Sequence, residues 1–426
     1  MRFLSKKLSH NAPVFLFLCL MTLAATASAQ QPGKMSLPAL SDVPVLPPNP
    51  KGSDPKPEAA EPAILAAFDK YEVVAMTAAH GNKDLDDFIL HLIRNPEFPS
   101  KINVIAVECG NSLYQPTLDK YIAGADIPLS EARQVWRNTS QAMCGLSGFY
   151  EQLFPLIRRI NQSLPPARKL RVLACDPPIN WNKIKTRADL GRSEFLSRDG
   201  NIASVMEKEV LAKHRNALML FGTAHLFHEP DTAVGLYEKT YPGITLVIAD
   251  HTGFGNWSPL EKYNNQFEAR MASWPIPSLV LQLRGTWLAD LLDQTYSTGN
   301  IVFGVADTGK LPAGPAPSNG TFAEVPHEAE TKFSKQADAY LYLGPRDLLL
   351  NEPTPAEIVL DAAYMSELRR RVALMGGPMA DESNPKNILE RDSNPFFYDP
   401  DELKKLDATP LQFQPVDDFS HPAAPR

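Results

Sequence analysis

A histidine and a glutamate, His80 and Glu108, each stand just past a short apolar run of the chain. Together they are a proton acceptor and a carboxylate that could orient or assist it. The same punctuation recurs downstream: Asp176 follows the apolar run 170–174, His225 follows 217–221, and Asp250-His251 follows 244–249. Arg198-Asp199 stands at the start of a helical stretch and adds a cation and another carboxylate. Two chemistries fit the set. In the first, His80 or Glu108 is a general base that activates water, and His225 with Arg198 stabilises the developing oxyanion. In the second, His80, Glu108 and His225 hold a divalent cation as two imidazoles and a carboxylate, with positions left for water. Asp176 and Asp199 are supporting carboxylates in either scheme.

The elements around these residues predict how they are brought together. Residues 73–76 and 103–107 are β-rich, and between them Leu85, Phe88, Ile89, Leu92 and Ile93 recur at helical spacing, with Asn82 or Asp84 to cap the start. Strand, helix, strand is a βαβ unit, so the two strands are parallel. Further strands are expected at 170–174, 217–221, 244–249, 278–283, 301–305 and 337–343, with helices at 111–122, 150–164, 201–214 and 358–374. Asp199 is expected to cap the helix that follows it. The fold class is therefore α/β: a central, mostly parallel β-sheet with helices on both faces, built from βαβ units. Its cleft lies at the carboxyl ends of the strands, where open parallel sheets bind ligands. That position gives His80 and Glu108 their weight as a pair. Strand ends are also turns, and turns favour polar residues, so His228 and His251 are read as structural. Gly145 to Gly148 lacks the G-x-S-x-G of a nucleophile elbow. Gly253-Phe254-Gly255 is not a phosphate loop.

Composition sets the surroundings. Residues 1–29 carry Arg2, Lys6 and Lys7, then an apolar stretch from Ala12 to Leu23, then Ala27-Ser28-Ala29. That order is a cleaved secretory signal for the general export route, too short in its apolar part for a stable membrane span. The expected location is periplasmic or secreted, with no integral span in the mature chain. Residues 30–63 read as a Pro-rich leader, 64–375 as one α/β domain with an inserted loop at 310–330, and 376–426 as a polar, Pro-rich tail. The formal charge is −7, and losing the three basic residues of the signal makes it −10. An acidic chain without a basic patch excludes nucleic acid as the expected partner and leaves a small molecule or peptide. Cys109, Cys144 and Cys175 remain after cleavage, an odd number. Cys109 and Cys175 each end a strand and could bridge if those strands are neighbours.

The motifs in order resemble a known superfamily, the one that groups erythromycin esterase-like proteins, ChaN-type haem-binding lipoproteins and Tiki/TraB proteases. Those families carry a strand ending in Gly-Glu-x-x-His, a helix, and a strand ending in two apolar residues and Glu. Here the corresponding residues are Thr77-Ala78-Ala79-His80-Gly81 and Ala106-Val107-Glu108. Gln115, Leu118, Asp119 and Tyr121 with Gly124 are similar to the erythromycin esterase group. Ser197-Arg198-Asp199 and then Gly222-Thr223-Ala224-His225 complete the likeness, the last in a form closer to ChaN and TraB. The resemblance spans residues 71–250. It implies a cleft holding His80, Glu108 and His225, and a hydrolase of an ester, lactone or peptide bond. Two departures stand out: Met76-Thr77 replaces the family's Gly-Glu, and Gly222 stands where the erythromycin esterase group has a second histidine. They motivate the alternative, a non-catalytic cell-envelope protein that binds a small ligand, haem among the candidates. A third reading is a structural envelope protein whose Pro-rich ends carry the interactions.

Overall fold

The structure, a computed structural model, describes residues 49–78, 81–190, 198–254, 260–296, 332–375, 383–401 and 403. Its centre is one eight-stranded sheet in the order β1-β7-β8-β6-β2-β5-β3-β4. The strands are β1 Glu58–Ala59, β2 Val73–Thr77, β3 Val104–Asn111, β4 Arg171–Asp176, β5 Ala217–Phe221, β6 Thr245–Asp250, β7 Ser278–Val280 and β8 Ala339–Tyr342. From β4 across to β8 every pairing is parallel, and β7 and β1 close the other side antiparallel. The helices that matter below are α1 Ala60–Ala67, α2 Lys83–Arg94, α3 Gln115–Ala123, α4 Gly148–Ser163, α5 Arg198–Glu209, α6 Thr223–Leu226, α7 Ala233–Glu238, α8 Trp287–Tyr296, α9 Ala362–Met375 and α10 Pro385–Ser393.

Both faces of the sheet are covered, which is why its strands read as unbroken apolar runs rather than alternating ones. Val74, Met76, Ile105, Val107 and Leu218 pack with α2, α3 and α4 on one side. Val73, Ala75, Val104, Ala106 and Met219 pack with α5, α7 and α8 on the other. The successive residues of each strand thus divide between two cores. Asn82 caps α2, its side chain accepting from the backbone N–H of Asp84 and Leu85.

The structure departs from the sequence reading at the two ends of the domain, and it adds a strand within the first βαβ unit. The two strands of the first βαβ unit are parallel but not neighbours, because β5 enters between β2 and β3. The last part of the stretch read as leader joins the fold: β1 pairs with β7, and α1 buries Ala60 and Ile64. Within the stretch read as tail, Pro385–Ser393 is helix α10, with Ile388 buried. The strand expected at 301–305 and the loop at 310–330 lie outside the described residues.

The cysteines also differ. Cys109 bridges Cys144, and Cys175 is free and buried. β3 and β4 are indeed neighbours. Cys109, however, sits in the core on one face of the sheet and Cys175 in the core on the other, so their side chains diverge.

Candidate functional site

The parallel strands place the carboxyl ends of β2, β5, β3 and β4 side by side. β3 is irregular there: its register with β4 shifts between Val107 and Asn111, a break that re-aims side chains at a strand end. Gly110 lies in this break, and a Cβ on it would come within 2.8 Å of the Ala174 backbone, so the two strands approach this closely only with glycine. Glu108 precedes it, 3% exposed.

Arg198, the first residue of α5, is the hub. Its Nη2 donates to Glu108 Oε1 at 2.8 Å, its Nε donates to Asp176 Oδ1 at 3.2 Å, and its Nη1 lies 3.2 Å from His225 Nε2. One planar guanidinium therefore reaches the ends of three strands. Burial disfavours its charge, but the carboxylates of Glu108 and Asp176 outweigh that, and the guanidinium is held above its ordinary range. Asp176 is fully buried at the end of β4 and accepts from the backbone N–H and hydroxyl of Ser140, at 2.5 and 2.6 Å. Burial raises its carboxyl above the usual range, against the pull of Arg198 and Ser140. Glu108 Oε2 accepts from the backbone N–H of Gly222 at 2.5 Å. Gly222 thus serves the site through its backbone.

His225 has an assignable tautomer. A guanidinium only donates, so Nε2 accepts from Arg198, and Nδ1 carries the proton and donates to Asp199 Oδ1 at 2.9 Å. Asp199 was expected to cap its own helix. It lies inside the first turn of α5, and its Oδ1 instead accepts from Ala233 N at the start of α7, at 2.8 Å. It orients His225 and anchors a different helix.

The structure brings together Glu108, Asp176, Arg198, Asp199 and His225. His80 lies outside the described residues; β2, which precedes it, ends at Thr77 beside β5. Thr77, at the position where a carboxylate was missing, shares a hydrogen bond with Thr223 at 3.2 Å between their hydroxyl oxygens. His228 and His251 are elsewhere. His228 bridges Glu238 and Asp338 at 2.7 and 2.9 Å. His251 is buried between Tyr340 and Glu268, 2.7 Å from each. Ser140 carried no signal in the sequence, because the stretch around it has no periodicity and the structure holds it by tertiary contacts alone.

The donor set argues against a metal. Glu108 and His225, two of the three expected ligands, are both engaged by the same arginine, whose positive charge opposes a cation at that point. Among the described residues no group of three or more His, Cys, Asp or Glu side chains is placed to hold a metal ion. Three of Arg198's five N–H groups are used and its side chain is 15% exposed, so two donors remain to meet a substrate oxygen, although Glu108 and Asp176 already compensate the guanidinium's charge.

No family model matches the sequence, and no curated relative does. Solved structures do. A Bacillus cereus protein is similar over 69% of this chain and 94% of its own, with 10% identity and a TM-score of 0.40. The erythromycin esterase EreC, as a mutant in its open conformation, is similar over 45% of this chain and 73% of its own, with 13% identity and a TM-score of 0.33. Haem-bound ChaN of Campylobacter jejuni is similar over 45% of this chain and 85% of its own, with 13% identity and a TM-score of 0.27.

Proposed function

We propose that this chain is an exported hydrolase that cleaves an ester, lactone or peptide bond at the carboxyl edge of the sheet. The observation that carries this reading is the Arg198 fork, which ties Glu108, Asp176 and His225 into one charged cluster at the strand ends. In this scheme His80 is the base that activates water. Glu108 orients the base rather than acting as one, since both of its oxygens already accept strong hydrogen bonds. Arg198 stabilises the oxyanion; His225, expected to share that task, has its Nε2 accepting from the arginine and its Nδ1–H given to Asp199, so it positions the arginine instead, together with Asp176. No metal enters the scheme.

Export is supported by the signal-like residues 1–29 and by the Cys109–Cys144 bridge, a bond that belongs to oxidising compartments. Among the described residues no helix is long and apolar enough to cross a membrane.

The test is a panel of ester, lactone and peptide substrates given to the purified protein, with His80→Ala and Arg198→Gln variants. Arginine that stabilises an oxyanion contributes on the order of 10²-fold or more in rate. A turnover lost by that much in both variants supports the reading; turnover equal to wild type in His80→Ala refutes it. The rival reading, a ligand-binding protein, is favoured by Thr77 and Gly222 standing where the resembled families carry catalytic residues. Haem titration decides the haem form of it: a Soret band that His225→Ala abolishes supports it, and an unchanged haem spectrum removes it.

A further inference from the structure

Helix α2 carries one acidic side chain into the core. Asp86 is 3% exposed, and neither of its carboxylate oxygens has a hydrogen-bond donor. The charged groups facing it are Glu352, and on its own helix Asp87 and Lys83, which pair with each other at 2.5 Å. Glu352 comes from a strap that lies along the β2–α2 turn. Its backbone N–H donates to Gly81 O at 2.7 Å, Asn351 bridges Asn82, and the Lys83 N–H donates to Leu350 O at 2.9 Å. Glu352 Oε2 accepts from Ser147 Oγ at 3.1 Å, and the N–H groups of Gly148 and Phe149 at the start of α4 face the same carboxylate. The buried hydroxyl of Tyr150, 4% exposed, lies within electrostatic reach of both acids and of Glu108, and faces the Cys109 backbone.

Two carboxylates facing one another in an apolar setting do not both ionise. The donors decide where the charge rests. Glu352 has a hydroxyl and a helix N-terminus to receive its charge, and Asp86 has nothing. We propose that Asp86 and Glu352 form a proton-binding site, with the proton on Asp86 and the charge on Glu352, and that this pair latches the 350–352 strap to the turn beside Glu108. Burial first, then Glu352 and Asp87, drives the Asp86 carboxyl well above its ordinary range, with Lys83 opposing. Burial raises Glu352 as well, against the donors at Ser147, Phe149 and Gly148. Losing the shared proton at alkaline pH leaves two buried anions. Asp86 is held within a helix packed on the sheet, so the strap is the partner that yields. The strap then separates from the β2–α2 turn. The inference stands whether or not the cleft hydrolyses anything.

Infrared spectroscopy of the full chain reads the proton directly. At neutral pH the wild type shows the carbonyl stretch of a protonated carboxylic acid. That band is absent in Asp86→Asn and retained in Asp87→Asn, an exposed control on the same helix. On raising the pH the band is lost, and hydrogen exchange at 350–352 rises beyond its intrinsic pH dependence in the wild type but not in Asp86→Asn, where the amide keeps donating to Glu352. Absence of the band in the wild type at neutral pH overturns the proposal, and that reading needs no variant to fold. So does strap exchange that ignores loss of the band. Disappearance of the band on adding calcium or magnesium at constant pH also overturns it, by assigning the pair to a cation.

Discussion

Replacing Arg198 with methionine removes one cation from between two acids. Glu108 is 3% exposed and Asp176 is fully buried, and the arginine is their shared counter-charge. Breaking a buried pair by deleting one partner costs about 3–5 kcal/mol, because the remaining charge is left without compensation. Here each carboxylate keeps other donors: Gly222 N–H for Glu108, and the Ser140 N–H and hydroxyl for Asp176. The cost therefore falls at the low end, about 3 kcal/mol rather than twice that. Urea unfolding at neutral pH measures it. The pH dependence has a required sign. Without Arg198, the opposition to burial at Asp176 among the described residues falls to Ser140, so its carboxyl moves further above the usual range. An acid raised in the folded state binds its proton more tightly folded than unfolded, so stability falls as pH rises from the ordinary carboxyl range toward the raised one. The defect of Arg198→Met thus shrinks as the pH is lowered toward about 4. Neutralising one acid in the double variant Arg198→Met/Glu108→Gln recovers about 1 kcal/mol or more. A cost below about 1 kcal/mol at neutral pH, or a defect that grows on acidification, refutes the fork as a compensated buried cluster.

Other parts of the fold make equally specific demands. A Cβ at Gly145 would meet the Tyr364 hydroxyl at 1.7 Å, so Gly145→Ala displaces α9 and speeds limited proteolysis of the C-terminal region; an unchanged digestion pattern counts against the packing. The Cys109–Cys144 bridge spans 35 residues, and Cys144→Ala costs about 4 kcal/mol in urea unfolding by the loop-entropy relation. Cys175 is buried and burial pushes its thiol up, so it resists thiol reagents in the native protein and reacts only on unfolding. At His228, burial opposes the imidazolium, but Asp338 and Glu238 outweigh it and raise the group from 6.5 to about 9. Its contribution to stability is fully present below the unfolded value and is lost as pH rises through about 9. His228→Gln flattens that alkaline loss in thermal unfolding, and a ring-proton titration near 6.5 instead would remove the cause.

What could be read from the chain, and what could not, follows from where the information lies. The run 73–76, the stripe from Leu85 to Ile93 and the run 103–107 are local patterns, and each became the expected element. That Glu108 and His225 meet is a matter of strand order. β5 enters between β2 and β3 after more than one hundred intervening residues, and no local pattern encodes that choice. Arg198 was legible as a residue type at a helix start, but its role as hub depends on β3, β4 and α6 converging. The cap expected of Asp199 failed for the same reason: an aspartate at a helix start has several N–H groups within reach, and tertiary contact gave it Ala233 and His225 instead.

Asp86 shows a signal that periodicity did carry. It lies beside Leu85 in sequence and one helical turn before Leu90, and both leucines are buried, so a carboxylate there requires either a partner or a proton. Sequence separates it from Glu352 by almost the whole domain, in a segment bounded by Asn351 and Pro353 that has no periodicity of its own. The strap that brings them together also bonds to Gly81 and Lys83 on either side of the α2 cap. The α2 start, the α4 start and the strap therefore share one buried acid pair next to the site glutamate. Charge at this edge is organised in two adjoining units, one compensated by an arginine and one by a proton. The distinction is testable by salt and pH separately. Both units are buried, so ionic strength moves neither strongly. pH moves the proton-held unit on its alkaline side and the arginine-held unit on its acid side, where Asp176 takes up a proton.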